Sequence, residues 1–150
     1  MNNQRFCWAI LIALLLCAPA FAQEEDTALY AVGALGASNL YNTYFLLGTL
    51  ADGYATAAYT AQFADELARD ISGLNESSME VLQRLIEQKT VVGEDKQLVL
   101  NMISAHELLI GQAGGLISYV EDSSDTEAWF SYRRRAWEII TDILGIEPPS

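Results

Sequence analysis

Residues 98–120 read LVLNMISAHELLIGQAGGLISYV, and this stretch decides the fold class. Its apolar residues recur in steps of three and four, which is the spacing of an amphipathic helix. One apolar seam runs through Leu98, Met102, Ala105, Leu109 and Leu116. A second seam lies beside it and carries His106, the only histidine of the chain. We therefore predict a core helix from Glu94 to about Val120.

The same spacing continues on both sides of this helix. No proline interrupts the chain between Gln23 and Glu147, and Ala, Leu, Glu and Gln, which favour helix, are plentiful. We predict four core helices joined by short turns, which is an all-α, antiparallel four-helix bundle. The first helix is long and extends to about Ser72, with a kink expected at Asp52-Gly53 because glycine weakens a helix interior.

Capping signals predict where the other helices begin and end. Two Ser-x-x-Glu capping boxes, Ser77–Glu80 and Ser124–Glu127, favour helix starts because each side chain bonds an exposed backbone amide of the other. Glycines commonly close helices, since they adopt the left-handed conformation without strain. We expect Gly73, Gly93 and Gly145 to close the first, second and last helices.

The N-terminus has the pattern of a secretory signal peptide over Met1–Ala22. Arg5 supplies the positive charge, Phe6–Leu16 forms a short apolar core, and Ala20–Ala22 matches the small-x-small cleavage site. Cleavage would leave residues 23–150 as one helical domain, with an acidic lead at 23–26 and a tail at 146–150. The alternative is an uncleaved membrane anchor, although the apolar core is shorter than the roughly 20 residues that span a bilayer.

Cleavage would remove both cysteines, Cys7 and Cys17, and would change the net charge from −12 to −13. A mature chain without thiols excludes disulfides, thiolate nucleophiles and cysteine-based metal sites. Its 20 acidic residues against seven basic ones disfavour nucleic acid and anionic membranes and favour a basic partner. We expect export to the periplasm of a Gram-negative cell, or otherwise to the extracellular side.

Residues 27–51 carry no charge and are long enough to span a bilayer. Polar side chains such as Asn39 and Asn42 lie at the centre of this segment, where unpaired polar groups would be costly in lipid. We interpret the segment as a core helix and keep the membrane span as the alternative.

Five side chains are the candidate binding residues. Tyr44 and Tyr54 flank a polar stripe on the first helix, which runs from Asn42 to Thr60 and includes Asp52. This stripe is either a solvent-exposed face or the lining of a cleft. His106 is either a buried histidine bonded to a neighbour or a general base or ligand, and Arg134 either pairs with Glu138 or clamps an anion.

We predict no catalytic, cofactor or metal site. Position 103, three residues before His106, is Ile103, so the Glu-x-x-His pattern of di-iron bundles is absent. No glycine-rich phosphate loop and no Gly-x-Ser-x-Gly nucleophile elbow occurs in the sequence.

The sequence thus predicts an exported, non-enzymatic bundle that binds a protein, as a monomer or homodimer. One concrete form is an inhibitor or immunity-type protein that blocks a basic partner. The alternatives are a carrier with a tyrosine-lined pocket between helices and, with less support, an enzyme that uses His106 and Asp52. A pocket that brings together His106, Asp52 and Arg134 would favour the two alternatives, whereas a core without a cavity near His106 would argue against both.

Overall fold

The computed structural model describes residues 18–146, with the side chains of residues 18–26 and 28 left out. Within this part of the chain the regular structure is entirely helical. The helices are α1 (Ala18–Ala55), α2 (Ala61–Glu87), α3 (Gly93–Glu121) and α4 (Glu127–Leu144). The all-α prediction is therefore confirmed. Most of the predicted signal peptide, and the tail from residue 147 onward, lie outside the described residues.

The chain divides into two compact units, Met1–Ala34 and Leu35–Ser150. The described part of the first unit, residues 18–34, is helical and belongs to α1. The second unit contains the remainder of α1 together with α2, α3 and α4. The predicted four-helix bundle is this second unit, and the structural features below belong to it.

Contacts between α1 and α4 show that these helices run in opposite directions. The rings of Tyr44 and Trp137 lie 5.0 Å apart, and one turn later Gly48 lies against the guanidinium of Arg133. Increasing residue numbers on α1 thus meet decreasing numbers on α4. This is the antiparallel arrangement that the sequence predicts.

Contacts between α2 and α3 follow the same rule. The Nδ1 atom of His106 lies 2.7 Å from Oδ1 of Asn75, and an Nη2 atom of Arg69 lies 3.9 Å from Glu121. Lower numbers on α2 again meet higher numbers on α3. Helices α1 and α3 run in the same direction, because Gly36 lies against Met102 and Tyr54 packs on Tyr119. Each helix therefore reverses the direction of the helix before it, as in an up-down-up-down bundle.

Large apolar side chains from three helices fill the centre of the bundle. The fully buried ones are Leu40, Leu47, Leu50, Met102, Leu109, Leu116 and Ile140. Each contributes on the order of 1.5–3 kcal/mol through burial. Three of them belong to the uncharged 27–51 segment, which therefore supplies part of the core. No helix within residues 18–146 is long and apolar enough to cross a membrane.

Two glycines of α3 allow α4 to approach closely. A Cβ at Gly115 would lie 2.6 Å from the backbone nitrogen of Trp129, and the ring of Tyr132 occupies the space beside Gly111. Such close approach requires residues without side chains. Gly114 has open space beside it, so it makes no comparable contact.

The first helix is long, as predicted, but its predicted extension to Ser72 is wrong, because the chain turns at residues 56–60. Helix α1 continues through Asp52 and Gly53 without a break and ends at Ala55. The backbone N–H of Tyr59 then donates to the Gly53 carbonyl at 3.0 Å, and the Tyr59 ring lies where a side chain at position 53 would be. Thr60 caps α2 by accepting a hydrogen bond from the third residue after it.

The predicted helix end at Gly73 and start at Ser77 are also wrong, because both residues lie inside α2. The Ser77 hydroxyl donates to the Gly73 carbonyl at 3.0 Å instead of capping a new helix. A glycine in a helix interior costs only about 1 kcal/mol. Burial of the apolar face of α2, which includes Ile71 and Leu82, outweighs that cost.

The remaining boundary predictions are partly confirmed. Gly145 has the left-handed conformation, with φ of 64°, and follows the last residue of α4. Gly93 has φ of 57° but begins α3, whereas α2 already ends at Glu87. Ser124 does not cap α4, because its hydroxyl donates to the Asp122 carboxylate at 2.7 Å.

Candidate functional site

A groove of about 170 Å³ lies between α1 and α4 and is the main candidate site. We call it the α1–α4 groove. Its lining residues are Gly48, Ala51, Asp52, Ala55, Tyr119, Thr126, Trp129, Phe130 and Arg133. Its walls are thus mostly apolar and aromatic, with one acid and one base among them, which is a common composition of small-molecule sites.

Arg133 is the basic residue of this groove. Its guanidinium carbon lies 4.4 Å from the ring centre of Tyr44 and 5.6 Å from that of Trp129, so two aromatic faces hold the cation. Gly48 leaves the space for it, since a Cβ there would lie 2.6 Å from Nη1. Burial raises the pKa of the Tyr44 hydroxyl, and the charge of Arg133 partly opposes this shift.

The guanidinium of Arg133 has no hydrogen-bond acceptor among the described residues, and its Nη1 atom is buried without a partner. An arginine offers five N–H donors, and a buried donor without an acceptor typically costs about 1–3 kcal/mol. The aromatic contacts offset part of this cost. The described residues supply no acceptor for the other donors of Arg133 either.

Asp52 lies one helical turn after Gly48 on α1 and lines the same groove. Its side chain is exposed, and it forms no ion pair with Arg133 or with any other described residue. The groove thus presents one acid and one base that do not neutralise each other. Of the five predicted binding residues, only Asp52 is part of its lining.

Tyr44 contributes to a second feature, the aromatic cluster, which consists of Tyr41, Tyr44, Phe45 and Trp137. The ring centres of Tyr41 and Phe45 are 4.6 Å apart, and those of Phe45 and Trp137 are 5.9 Å apart. Phe45 remains 43% exposed. The cluster therefore presents an aromatic surface beside the guanidinium of Arg133.

Tyr54 ties α1 to α3. Its hydroxyl donates to the carbonyl of Val120 at 3.3 Å, and its ring packs edge-on against Tyr119 with centres 5.4 Å apart. Because Tyr119 lines the α1–α4 groove, Tyr54 supports one wall of the groove without lining it.

His106 lies in the contact between α2 and α3 and is only 2% exposed. The Asn75 side chain donates through Nδ2 to the Ile71 carbonyl at 2.7 Å, so its Oδ1 is the atom that accepts from Nδ1 of His106. Burial lowers the pKa of His106 to about 4, so the ring is neutral at pH 7. This is the buried, bonded histidine that the sequence analysis described as one of two alternatives.

A second groove, of about 150 Å³, lies between α1 and α2. Its lining residues are Asn39, Thr43, Leu46, Ile71, Leu74, Asn75 and Ser78. His106 lines neither groove but contacts this one through its hydrogen bond to Asn75. The structure therefore does not bring His106 and Asp52 into one site.

Arg134 is exposed and lines neither groove. It forms no ion pair with Glu138 or with any other residue in the range 18–146. Three successive arginines point in three directions around α4, and Arg133 is the one that faces α1. Sequence spacing gave a partial signal for this, because Trp129 and Arg133 are four residues apart.

The polar stripe on the first predicted helix consists of Asn42, Thr49, Asp52, Thr56 and Thr60. All five side chains are exposed. Thr56 and Thr60 bond the backbone around the turn between α1 and α2. The stripe is thus exposed, and Asp52 is its one residue that also lines the α1–α4 groove.

Two polar side chains are buried although the sequence pattern did not mark them as candidate site residues. Asn75 orients His106, as described above. Gln112 is completely buried in α3, and both its Oε1 and its Nε2 lack a hydrogen-bond partner among the described residues. Across residues 18–146, no three His, Cys, Asp or Glu side chains are grouped so that they could hold a metal ion.

No protein-family model, curated protein or solved structure matches the chain.

Proposed function

We propose that the protein is exported and acts by binding another protein through the aromatic cluster. The observation that supports this proposal is the exposed ring of Phe45, which packs on Tyr41 and Trp137 next to the guanidinium of Arg133. Tyrosine, tryptophan, phenylalanine and arginine are enriched where proteins contact each other, and a few such residues supply most of the binding energy.

The charge of the chain indicates the kind of partner. The 20 acidic residues exceed the basic ones by twelve over the full chain, so a basic protein would be attracted before contact. In this proposal the acidic surface steers the partner and the aromatic cluster holds it. An inhibitor or immunity-type protein directed at a basic partner is one form of this function.

Photo-crosslinking tests the proposal directly. A benzophenone amino acid would replace Phe45 and, as the matched control, Val92, which is 70% exposed in the segment between α2 and α3. We expect one basic protein to be captured from position 45 in extracytoplasmic extract and not from position 92. We also expect capture to weaken as salt is raised, because salt screens exposed charges.

Two results would contradict the proposal. Equal capture at positions 45 and 92 would show that the aromatic cluster is not the contact surface. Capture of nothing except a second copy of this chain would show that the contact surface forms a homodimer and does not bind a basic partner. Sedimentation analysis would then confirm the dimer.

The α1–α4 groove favours a second candidate function, that of a small-ligand carrier. Its specific support is the guanidinium of Arg133, which lines the groove without an acceptor from the described residues. The pocket expected from the sequence lay near Tyr44, Tyr54 and His106. None of these three lines the groove, although Tyr44 contacts its lining residue Arg133 and Tyr54 packs on its lining residue Tyr119. An NMR titration with a small molecule would support the carrier function if the amide signals of the groove residues shift, even when binding is weak.

A further inference from the structure

We infer that the α1–α4 groove binds a small zwitterion whose carboxylate and ammonium groups are separated by one or two carbon atoms. Arg133 would bind the carboxylate and Asp52 the ammonium group. The inference deepens the second candidate function, that of a carrier, and it does not depend on the aromatic cluster making a protein contact.

The guanidinium of Arg133 is unpaired. Arg133 is held in place by Tyr44 and Trp129 and by the space that Gly48 leaves, yet no described residue accepts its hydrogen bonds. A guanidinium fixed in this way matches the two oxygens of a carboxylate with a pair of parallel hydrogen bonds. The position of the cation is thus set before any ligand binds.

Asp52 lies about one helical turn along α1 from Gly48, the glycine beside the guanidinium of Arg133. The guanidinium lies over Gly48, and Asp52 is four residues further along α1, which is about 6 Å at 1.5 Å per residue. The two side chains do not pair with each other. A ligand with both charges close together can bridge them, whereas a long ω-amino acid would extend beyond one of them.

The charge of the chain and the size of the groove both favour a small zwitterion. A simple anion would have to approach a chain of net charge −12 and would lie near Asp52, while a zwitterion adds no net charge. The groove volume of about 170 Å³ is close to the roughly 150 Å³ of a cavity that holds benzene. Ligands of about six non-hydrogen atoms therefore fit, and the rings of Tyr119, Trp129 and Phe130 would cover their carbon atoms.

Calorimetric and NMR titrations of the full-length mature protein test the inference with four probes. These are β-alanine, acetate, methylammonium and 5-aminovalerate. We expect β-alanine to bind at least tenfold more tightly than acetate or methylammonium, and more tightly than 5-aminovalerate. The amide signals that shift should be those of groove residues such as Gly48 and Ala55.

Paired variants identify the two charges. Arg133→Gln and Asp52→Asn should each weaken β-alanine binding at least tenfold. The control variants Arg134→Gln and Asp70→Asn remove the same charges at exposed positions outside the groove and should bind normally. Gly48→Ala is an independent variant, because its Cβ would displace the guanidinium without changing any charge or breaking α1.

Three results would overturn the inference. If acetate binds as tightly as β-alanine, the groove is a simple anion site. If Asp52→Asn binds β-alanine with the same affinity as Asp70→Asn, Asp52 does not bind the ammonium group. Absence of binding by all four probes at millimolar concentration would exclude the zwitterion site altogether. None of these results would affect the aromatic cluster, because crosslinking at Phe45 measures that contact separately.

Discussion

Lowering the pH from 7 to 4 should destabilise the protein through one side chain, His106. In the unfolded chain His106 binds a proton near its ordinary pKa of 6.5, whereas in the folded protein its pKa is about 4. Between these two values the unfolded state binds more protons, so the free energy of unfolding falls as the pH falls. His106 therefore contributes its full share of stability above pH 6.5, and this share is lost by about pH 4.

The size of the effect follows from the difference between the two pKa values. At about 1.4 kcal/mol per pH unit, it corresponds to an upper limit of roughly 3 kcal/mol. Because domains of this size have total stabilities of about 5–15 kcal/mol, such a loss is readily measured. The assay is urea unfolding followed by far-ultraviolet circular dichroism at pH values from 7.5 to 3.5.

The control is the variant His106→Asn, whose side-chain nitrogen can still donate to Asn75 but does not titrate. Its loss of packing is independent of pH, and the many carboxylates titrate alike in both proteins. The difference in unfolding free energy between the two proteins therefore isolates His106, which is the only histidine. Parallel pH profiles for the two proteins would refute the reasoning, because they would mean that the buried ring binds a proton in the folded state as easily as in the unfolded one.

Three further predictions concern His106, the α3–α4 contact and the N-terminus. Asn75→Asp should raise the pKa of His106, since a carboxylate would replace the amide oxygen at 2.7 Å, and an NMR titration of the ring protons measures this. Gly115→Ala should destabilise the bundle by about 1–3 kcal/mol, because its Cβ would meet the α4 backbone, whereas Gly114→Ala should be neutral or stabilising; urea unfolding compares the two. Intact-mass measurement of the exported protein should show cleavage after Ala22 and no cysteine, and a longer product would contradict the signal-peptide prediction.

Helix α3 shows which structural features can be predicted from a sequence. Its predicted bounds, Glu94 to about Val120, agree closely with α3 (Gly93–Glu121), because buried residues follow its apolar seams over the whole length. Periodic burial sums many contributions of a few kcal/mol each, so no local signal overrides it.

The turn between α1 and α2 shows why other boundaries were missed. Gly73 and the Ser77–Glu80 box are local signals of about 1 kcal/mol, and the continuous apolar face of α2 outweighs both. The turn instead falls at residues 56–60, where Thr60 caps α2 and Gly53 leaves space for the ring of Tyr59. That second contact joins Tyr59, within the turn, to Gly53 of α1, and spacing along the chain does not reveal it.

The candidate site was predicted only in part, for a related reason. Three successive arginines follow Tyr132, and the sequence does not show which of them contacts α1. Gly48 decides this, because it lies on a different helix and is the position that makes room for Arg133. A site formed between helices depends on how the helices pair, and composition and periodicity do not determine that pairing residue by residue.

Arg133 contributes little net free energy to folding. Its contacts with Tyr44 and Trp129 stabilise the free protein by about 0.5–2 kcal/mol, while the buried Nη1 donor without an acceptor costs about 1–3 kcal/mol. These contributions nearly cancel, so replacing Arg133 by methionine should change the stability of the free protein little. The same change removes the only cation that lines the α1–α4 groove, which means that binding and stability should respond to it in different ways.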